Sequence, residues 1–326
     1  MYYLYLFLFF AGISALAISA SVKFFPKIGL LDFPERYKQV REKIPYPGGI
    51  TLVLSILGIL LWQKLFLLTG LTIILAGISF WDDKKNLPMT PRILTQVLIA
   101  IIFSIFIARI DYIGNPFNVG SFQLPANLAI FATIIWIIAI QNAMNWFDGL
   151  KGLCVGVSGI GFLALGVFGI IRPEVIWEAD LTMATTVNFS IAGILLGSWL
   201  TFFRGKILLG DTGSQVLGVL LAGFSIIAGT KIATTLLILG IPILDLGLVT
   251  LRRIFLDKKS PFQGDGKHLH HLLSEKIGEQ KAVLLFMVIS ATFATVSILF
   301  TGASKIIALG GLFILLIGLY AHAWKK

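Results

Sequence analysis

Long runs of apolar residues, separated by short polar loops, constrain the fold of this chain more than any other feature of its sequence. Of the 326 residues, 57% are hydrophobic and only 13% are charged, and the mean hydropathy is +0.93. A water-soluble core cannot absorb so much apolar surface, so the chain is expected in a bilayer. Because the runs are continuous and do not alternate with polar residues, they predict membrane helices and exclude a transmembrane barrel.

The pattern predicts an all-α integral membrane protein, one polytopic domain over 1–326 with about eleven transmembrane helices. A tight hairpin at Gln63 and Lys64 divides the second helix from the third, because one helix over both would exceed the bilayer at ~1.5 Å per residue. The largest cytoplasmic loop covers about 252–281. The predicted spans are roughly 2–22, 48–62, 65–81, 93–110, 127–145, 152–171, 181–203, 214–230, 232–251, 282–301 and 306–323.

The lysines and arginines predict how these helices are oriented. Most of the 26 basic residues lie in loops after odd-numbered spans or in the C-terminal tail, and the positive-inside rule assigns that side to the cytoplasm. The N-terminus is then outside and the C-terminus cytoplasmic. Because the basic residues are spread over many short loops, no nucleic-acid partner is expected. The basic residues on the opposite, outer side are Lys64, Arg109, Arg172, Lys231 and Lys305.

The segment QNAMNWFDGLKGL places amide and ionisable side chains between two apolar runs. Asn142, Asn145 and Asp148 follow one another at intervals of three and share one helical face. Polar groups at a membrane boundary are costly and therefore tend to be functional. Gly149 and Gly152 allow the backbone to turn and to approach another group closely. The segment predicts a binding face at the cytoplasmic boundary.

Two further acidic segments fall on the same side. Asp82 and Asp83 are adjacent at the inner end of the third span; such a pair suits a divalent cation or a proton-abstracting base, and a charged helix end is the alternative. Gly210, Asp211 and Ser214 open the eighth span, where backbone amides can bind phosphate oxygens. Since Asp211 is itself an anion, a bridging Mg²⁺ would reconcile it with a phosphate. A capped helix start is the alternative.

The ninth span and the loop after it combine an acid with histidines. Asp245 lies inside the span, where a carboxylate either is functional or pairs with an arginine. In the loop, His268 and His271 share a helical face while His270 points away. A zinc site would need more ligands, and the only acid close in sequence is Asp265. Imidazoles contacting a diphosphate or a sugar therefore fit better than zinc.

Five of these motifs together resemble those of one family. IPYPGGI, DDKKNL, NAMNWFDGLKGL, GDTGSQVLG and KHLHHLL occur in the order found in the polyprenyl-phosphate N-acetylhexosamine-1-phosphate transferases, and the resemblance covers nearly the whole chain. SPFQGDGKHLHHLL is similar to the histidine loop of the branch that uses UDP-N-acetylglucosamine and undecaprenyl phosphate. The resemblance implies a phosphoglycosyltransferase dependent on Mg²⁺, with Mn²⁺ as a substitute. It also implies a homodimer in the bacterial inner membrane with its active site facing the cytoplasm.

The reaction implied is transfer of N-acetylglucosamine 1-phosphate to undecaprenyl phosphate with release of UMP, the first membrane step of a cell-envelope polysaccharide such as lipopolysaccharide or teichoic acid. We expect direct attack by the lipid phosphate, which is already a nucleophile. The metal ligands implied are Asp211 and Asp148. The catalytic residues implied are Asp82, Asp83, Asp148 and His268. The substrate-binding residues implied are Lys38, Asn142, Asn145, Lys151, Gly210, Ser214, Arg252, Lys267, His270 and His271.

The chain departs from the family pattern at two places. Lys151 stands where the family usually has a second aspartate, and Asp265-Gly266-Lys267 replaces an acid followed by arginine, which keeps a cation but loses a bidentate fork. Three alternatives stay open. They are the same reaction with another UDP-sugar such as UDP-MurNAc-pentapeptide, a transporter, and a non-catalytic scaffold. A transporter would place more charges near the midplane than Asp245 alone.

Overall fold

A computed structural model describes residues 1–34, 42–114, 120–172, 181–230, 232–258 and 267–324. Helices dominate it, with a short antiparallel hairpin of β1 (Tyr112–Gly114) and β2 (Ser121–Gln123) between the fourth and fifth. The helices are α1 (Tyr2–Phe24), α2 (Gly49–Trp62), α3 (Phe66–Lys85), α4 (Met89–Phe106), α5 (Ala126–Trp146), α6 (Leu153–Ile171), α7 (Leu181–Phe203), α8 (Asp211–Ile227), α9 (Ile232–Ile238), α10 (Gly240–Phe255), α11 (Leu269–Ile277), α12 (Glu279–Leu299) and α13 (Ala303–Trp324).

The helices confirm the prediction of an all-α membrane protein. Within the described ranges, eight of them are long and apolar enough to cross a bilayer, and α9 with α10 makes up to nine. Two more, α2 with 14 residues and α8 with 17, are apolar but shorter. The predicted hairpin is present, because α2 ends at Trp62 and α3 begins at Phe66. The count of eleven spans and the orientation of the termini stay predictions.

The ninth predicted span, 232–251, is not one straight helix. Its two halves, α9 and α10, meet at an angle of 88°. Pro242 lies in the first turn of α10 and has no N–H to donate to the carbonyl of Ile238, so the sequence breaks the helix there. The break directs α10 toward α5 and α13, which it contacts.

Helix α8 lies at the centre of the molecule and is buried from Thr212 to Ser225. It packs against α5, α3 and α2. The contact with α2 requires glycine, because a β-carbon on Gly49 would overlap the backbone of Gly213. The N–H of Gly49 donates to the carbonyl of Leu209 at 2.9 Å. This close packing fixes the start of α8, where the predicted metal-binding residue lies.

Candidate active site

A cleft of about 610 Å³ opens where α3 and α5 end and α8 begins. It is lined by four aspartates, of which Asp32 precedes α2. The others are Asp83, Asp148 and Asp211, and Lys151 and His271 line the cleft with them. These residues come from separate parts of the sequence. The structure thus brings together Asp83 of the acidic pair, the asparagine segment, the start of the eighth span and the histidine loop, while Asp82 lies outside the cleft lining.

Asp211 is held in a fixed orientation at the first residue of α8. Its Oδ1 accepts a hydrogen bond from Asn145 Nδ2 at 3.0 Å, and its Oδ2 accepts one from Arg92 Nη2 at 3.0 Å. The Asn145 amide also donates to Ser214 Oγ at 2.9 Å. The side chain remains 31% exposed. Asp211 is therefore oriented from two sides and still open to a ligand in the cleft.

Asp83, on α3, caps the N-terminus of α8. Its carboxylate accepts hydrogen bonds from the backbone N–H of Asp211 at 2.8 Å and of Thr212 at 3.0 Å. The hydroxyl of Thr212 donates to it at 2.5 Å, and the Tyr46 hydroxyl donates to it as well. A helix start leaves unpaired N–H groups that a side chain normally caps from the preceding residue. Here that residue is Gly210, so the cap comes from another helix.

Arg92 joins the two acidic segments. Its Nε lies 3.0 Å from Asp82 Oδ2, and its Nη2 lies 3.0 Å from Asp211 Oδ2. Asp82 also accepts a hydrogen bond from the backbone N–H of Leu87 at 2.6 Å. Nothing local in the sequence distinguishes Arg92 from the other basic residues on the predicted cytoplasmic side. A cluster of acids, however, needs a nearby cation.

Asp148 has the electrostatic surroundings expected of a metal ligand. It lies in the loop between α5 and α6. Burial raises the pKa of its carboxyl well above the usual range, and the neighbouring charges of Asp211 and Asp83 raise the pKa further. A divalent cation between these carboxylates would relieve their repulsion. Because the donors are carboxylate oxygens, the site suits Mg²⁺ or Mn²⁺ better than zinc.

A layer of buried amides lies beside the carboxylates and joins α4, α5 and α8. Gln141 Nε2 donates to Gln215 Oε1 at 2.6 Å, and Gln96 Nε2 donates to the same oxygen at 3.1 Å. Asn142 Nδ2 donates to Gln96 Oε1 at 3.1 Å. Asn142 therefore belongs to this layer, while Asn145 reaches the cleft through Asp211. Such a network fixes the relative positions of its helices.

In the histidine loop, the two rings that lie on the same side are not the pair that the sequence predicted. His268 precedes α11 in an extended conformation, with φ −70° and ψ 148°, so helical spacing does not apply to it. His268 and His270 are both buried beside Asp245, at 2.7 and 3.8 Å from its Oδ2, while His271 lines the cleft. The predicted pairing of His268 with His271 on one face is wrong. Asp245 pairs with His268, and no arginine of the described segments is its direct partner.

The environment of α11 keeps its two histidines neutral. Burial lowers the pKa of His270 to about 3. Burial also lowers the pKa of His271, with the neighbouring His268 as a second cause. Gly149 lies directly against them, since a β-carbon there would stand 2.7 Å from His271 Cε1. The close approach that the sequence predicted for Gly149 is therefore to the histidines.

Arg252 and Lys267, predicted to bind substrate, lie apart from the cleft lining. Arg252 Nη1 donates to the Lys267 carbonyl at 3.2 Å. Both cations stand over the Trp324 ring, at 5.8 and 5.5 Å from its centroid. Arg252 faces an apolar groove of about 570 Å³ between α10 and α13. Lys38 and Asp265 lie outside the described residues.

Lys151 is paired with an acid from another helix. Its backbone N–H donates to Glu279 Oε1 at 2.8 Å, and its Nζ lies 3.4 Å from Glu279 Oε2. Glu279 is the first residue of α12 and lines the cleft. Glu279 could not be recognised from the sequence, because nothing local connects it to a residue 128 positions earlier. At position 151, where the family usually has an aspartate, this chain has a lysine that is paired with the carboxylate of Glu279.

Comparisons with known proteins identify the family of the chain. The profile of glycosyl transferase family 4 matches residues 65–229. The chain is 30% identical over 304 residues to the probable undecaprenyl-phosphate N-acetylglucosaminyl 1-phosphate transferase of Bacillus subtilis (89% of this chain, 83% of the relative). It is 30% identical over 284 residues to the undecaprenyl-phosphate alpha-N-acetylglucosaminyl 1-phosphate transferase of Thermotoga maritima (87% and 86%).

A third relative comes from another branch. The phospho-N-acetylmuramoyl-pentapeptide-transferase of Prochlorococcus marinus is 29% identical over 269 residues, which cover 74% of this chain and 73% of the relative. The matches confirm the resemblance inferred from the motifs. With its motifs in the expected order, its acids gathered in one cleft and these relatives along most of its length, the chain belongs to glycosyl transferase family 4.

Proposed function

We propose that this protein transfers N-acetylglucosamine 1-phosphate from UDP-N-acetylglucosamine to undecaprenyl phosphate, giving undecaprenyl diphospho-N-acetylglucosamine and UMP. The observation that carries the proposal is the cleft at the ends of membrane helices, where Asp83, Asp148 and Asp211 meet Lys151 and His271. Acids that can hold a divalent cation, with cations beside them, suit phosphoryl transfer. The names of the Bacillus and Thermotoga relatives support undecaprenyl phosphate as the acceptor and N-acetylglucosamine 1-phosphate as the transferred group.

In this mechanism, the chain's residues mainly position the substrates and balance charge. Asp211 and Asp148 would hold Mg²⁺, or Mn²⁺ in its place; when bound, the ion neutralises charge on the donor diphosphate. Asn145 and Arg92 keep Asp211 oriented. An oxygen of the lipid phosphate attacks the β-phosphorus of the donor, forming one P–O bond while the bond to UMP breaks. Lys151 lines the cleft, where its ammonium group can contact a phosphate of a bound substrate. A protein nucleophile is unnecessary, because the lipid phosphate is already an anion.

Isotope exchange tests the proposal directly. Purified protein in lipid nanodiscs should exchange labelled UMP into UDP-N-acetylglucosamine only when undecaprenyl phosphate and Mg²⁺ are both present. A panel of UDP-sugars, including UDP-MurNAc-pentapeptide, should show the highest rate with UDP-N-acetylglucosamine. Activity restricted to the pentapeptide donor would overturn the donor assignment. Exchange without any lipid acceptor would contradict direct attack, because it requires a covalent phosphosugar–protein intermediate.

We infer further that the cleft faces the cytoplasm of a bacterial cell membrane. The positive-inside distribution of the 26 basic residues supports this orientation. UDP-sugars are soluble donors, so a cleft on that side would meet both substrates. The homodimer and the count of eleven spans remain predictions of the sequence.

The Lys151–Glu279 pair gives a charge-swap prediction. Lys151→Asp should lower the exchange rate about tenfold, because the new carboxylate meets Glu279 and the acids of the cleft, and tenfold corresponds to about 1.4 kcal/mol in the barrier. Glu279→Lys should lower the rate similarly. The double variant, Lys151→Asp with Glu279→Lys, should recover most of the activity, since it restores one charge of each sign.

The exposed pair Arg109 and Asp111, 2.6 Å apart near the start of the β-hairpin, provides a matched control. Arg109→Asp should leave the exchange rate unchanged. A large gain in turnover for Lys151→Asp alone would contradict the compensation by Glu279. It would mean that the native chain is a weakened or specialised member of the family.

A further inference from the structure

Asp245 is a buried carboxylate that the proposed reaction does not use. It lies within α10 and is 2% exposed. A carboxylate at such depth is stable only with hydrogen-bond donors around it. His268 Nδ1 lies 2.7 Å from Oδ2, the backbone N–H of Leu269 donates to Oδ1 at 3.0 Å, and the Tyr320 hydroxyl also donates to Oδ1. Three donors thus come from the loop, from α11 and from α13.

One of these donors shows that Asp245 caps α11. Leu269 is the first residue of α11, and the preceding His268 makes no side-chain cap to the helix. A helix of nine residues is marginal by itself and needs its first N–H groups satisfied. Asp245 therefore does for α11 what Asp83 does for α8. In both cases, a carboxylate on a neighbouring helix caps a helix that carries a cleft residue.

The contacts of His268 define which ring nitrogen carries the proton. The Asp245 carboxylate accepts a hydrogen bond from His268 Nδ1, so Nδ1 carries the ring proton and Nε2 remains an acceptor. Arg253 Nη2, a donor, lies 3.4 Å from that Nε2. The Arg253 guanidinium in turn stands 5.1 Å from the ring centroid of Trp146, the last residue of α5. A series of contacts therefore links Asp245, through His268 and Arg253, to Trp146, which is next to Asn145 in the sequence.

We propose that Asp245 is a positioning residue of the transferase: it sets the tautomer of His268 and the orientation of α11, and so places His271 in the cleft. The inference rests on the proposed function. The packing explains why orientation matters, because His271 lies against Gly149, next to Asp148. A shift of α11 would therefore press on the loop that holds a predicted metal ligand.

A bound transition metal is the competing explanation for this cluster. The ligand atoms of Asp245, His268 and His270 lie within 4.8 Å of one another. The guanidinium of Arg253 beside His268 argues against an additional cation there. A metal on Nδ1 of His268 would also put the proton on Nε2, facing an arginine that can only donate.

The test combines kinetics with a direct reading of the tautomer. The chain has only four histidines, so nitrogen-15 labelling of histidine in the full-length protein can resolve His268. Wild-type protein should show the proton on Nδ1. Asp245→Asn keeps an acceptor for Leu269 but turns an NH₂ donor toward Nδ1, so the proton should move to Nε2. The kcat for UMP exchange should fall at least tenfold, with a KM for UDP-N-acetylglucosamine within threefold of wild type.

Tyr320→Phe is the milder variant, because it removes one donor and leaves the tautomer in place; kcat should fall two- to fivefold without a shift of the nitrogen-15 signal. Tyr112→Phe, on the exposed hairpin, is its matched control. The proposal is overturned if wild-type His268 carries its proton on Nε2. It is equally overturned if Asp245→Asn retains wild-type kcat per folded molecule, or if purified protein contains one zinc ion per chain that this variant loses. If wild-type protein has no exchange activity, the proposed function fails, while the tautomer measurement still decides the role of Asp245.

Discussion

Asp211→Asn is expected to abolish UMP exchange, with a loss of at least about 10³-fold, since a metal ion contributes several kcal/mol of transition-state stabilisation. The amide keeps the size of the side chain, but it removes the charge that Arg92 and Asn145 orient toward the cleft. Loss of that charge should also remove the response to Mg²⁺. The measurement is the exchange rate across a Mg²⁺ titration, with Mn²⁺ as a second ion.

A matched acid elsewhere in the chain controls for the loss of a charge. Asp111 pairs with Arg109 just after the end of α4, whereas Arg92 lies near the start of that helix. Asp111→Asn should retain the wild-type rate and the wild-type Mg²⁺ dependence. If Asp211→Asn kept a near-normal rate with the same Mg²⁺ midpoint, Asp211 would have no role in metal binding.

The meeting of these acids could be predicted from the sequence, but their individual roles could not. Because consecutive spans cross the membrane in opposite directions, Asp82-Asp83, Asp148 and Asp211 all fall at the same end of the helices. The positive-inside rule assigns that end to the cytoplasm. Asp82 and Asp83 are the same residue type at adjacent positions. They differ only because Asp83 meets the start of α8, 128 positions later in the chain. Contacts of that range leave no local trace in a sequence.

The errors at the histidine loop have the same origin. The prediction that His268 and His271 share a face assumed a helix through both, whereas α11 begins after His268. An arginine was one of the two alternatives for Asp245, since Arg252 and Arg253 are near in sequence, whereas its partner in space is His268. Helix boundaries and side-chain partners depend on tertiary packing, so spacing along the chain predicts them poorly.

Two caps supplied by neighbouring helices link the membrane fold to the cleft. Asp83 on α3 caps α8, and Asp245 on α10 caps α11. Asp211 and His271, both lining the cleft, lie on the two capped helices. The positions of these side chains therefore depend on how α3 packs on α8 and how α10 meets α11. A substitution in either cap should change the cleft by moving the helix that the cap holds.

Asp83→Asn should lower three quantities together: the exchange rate by at least about 10²-fold, the apparent affinity for Mg²⁺, and the melting temperature of the purified protein. The new NH₂ group would face the N–H groups of Asp211 and Thr212 or the Thr212 hydroxyl. An unsatisfied buried donor costs about 1–3 kcal/mol. The start of α8 should then shift, and Asp211 with it. Thermal unfolding and Mg²⁺ titration of the same preparation measure these effects.

The alternative role of Asp83 as a proton acceptor makes a different prediction. If it only accepted a proton from the lipid phosphate, Asp83→Asn would slow exchange while the melting temperature and the Mg²⁺ midpoint stayed at their wild-type values. The loss would also shrink at higher pH, where the lipid phosphate is already ionised. Asp82→Asn is the comparison of choice, because Asp82 binds Arg92 and the Leu87 N–H and makes no contact with the first amides of α8. A fall in stability and Mg²⁺ affinity that is larger for Asp83→Asn than for Asp82→Asn would assign Asp83 to the cap.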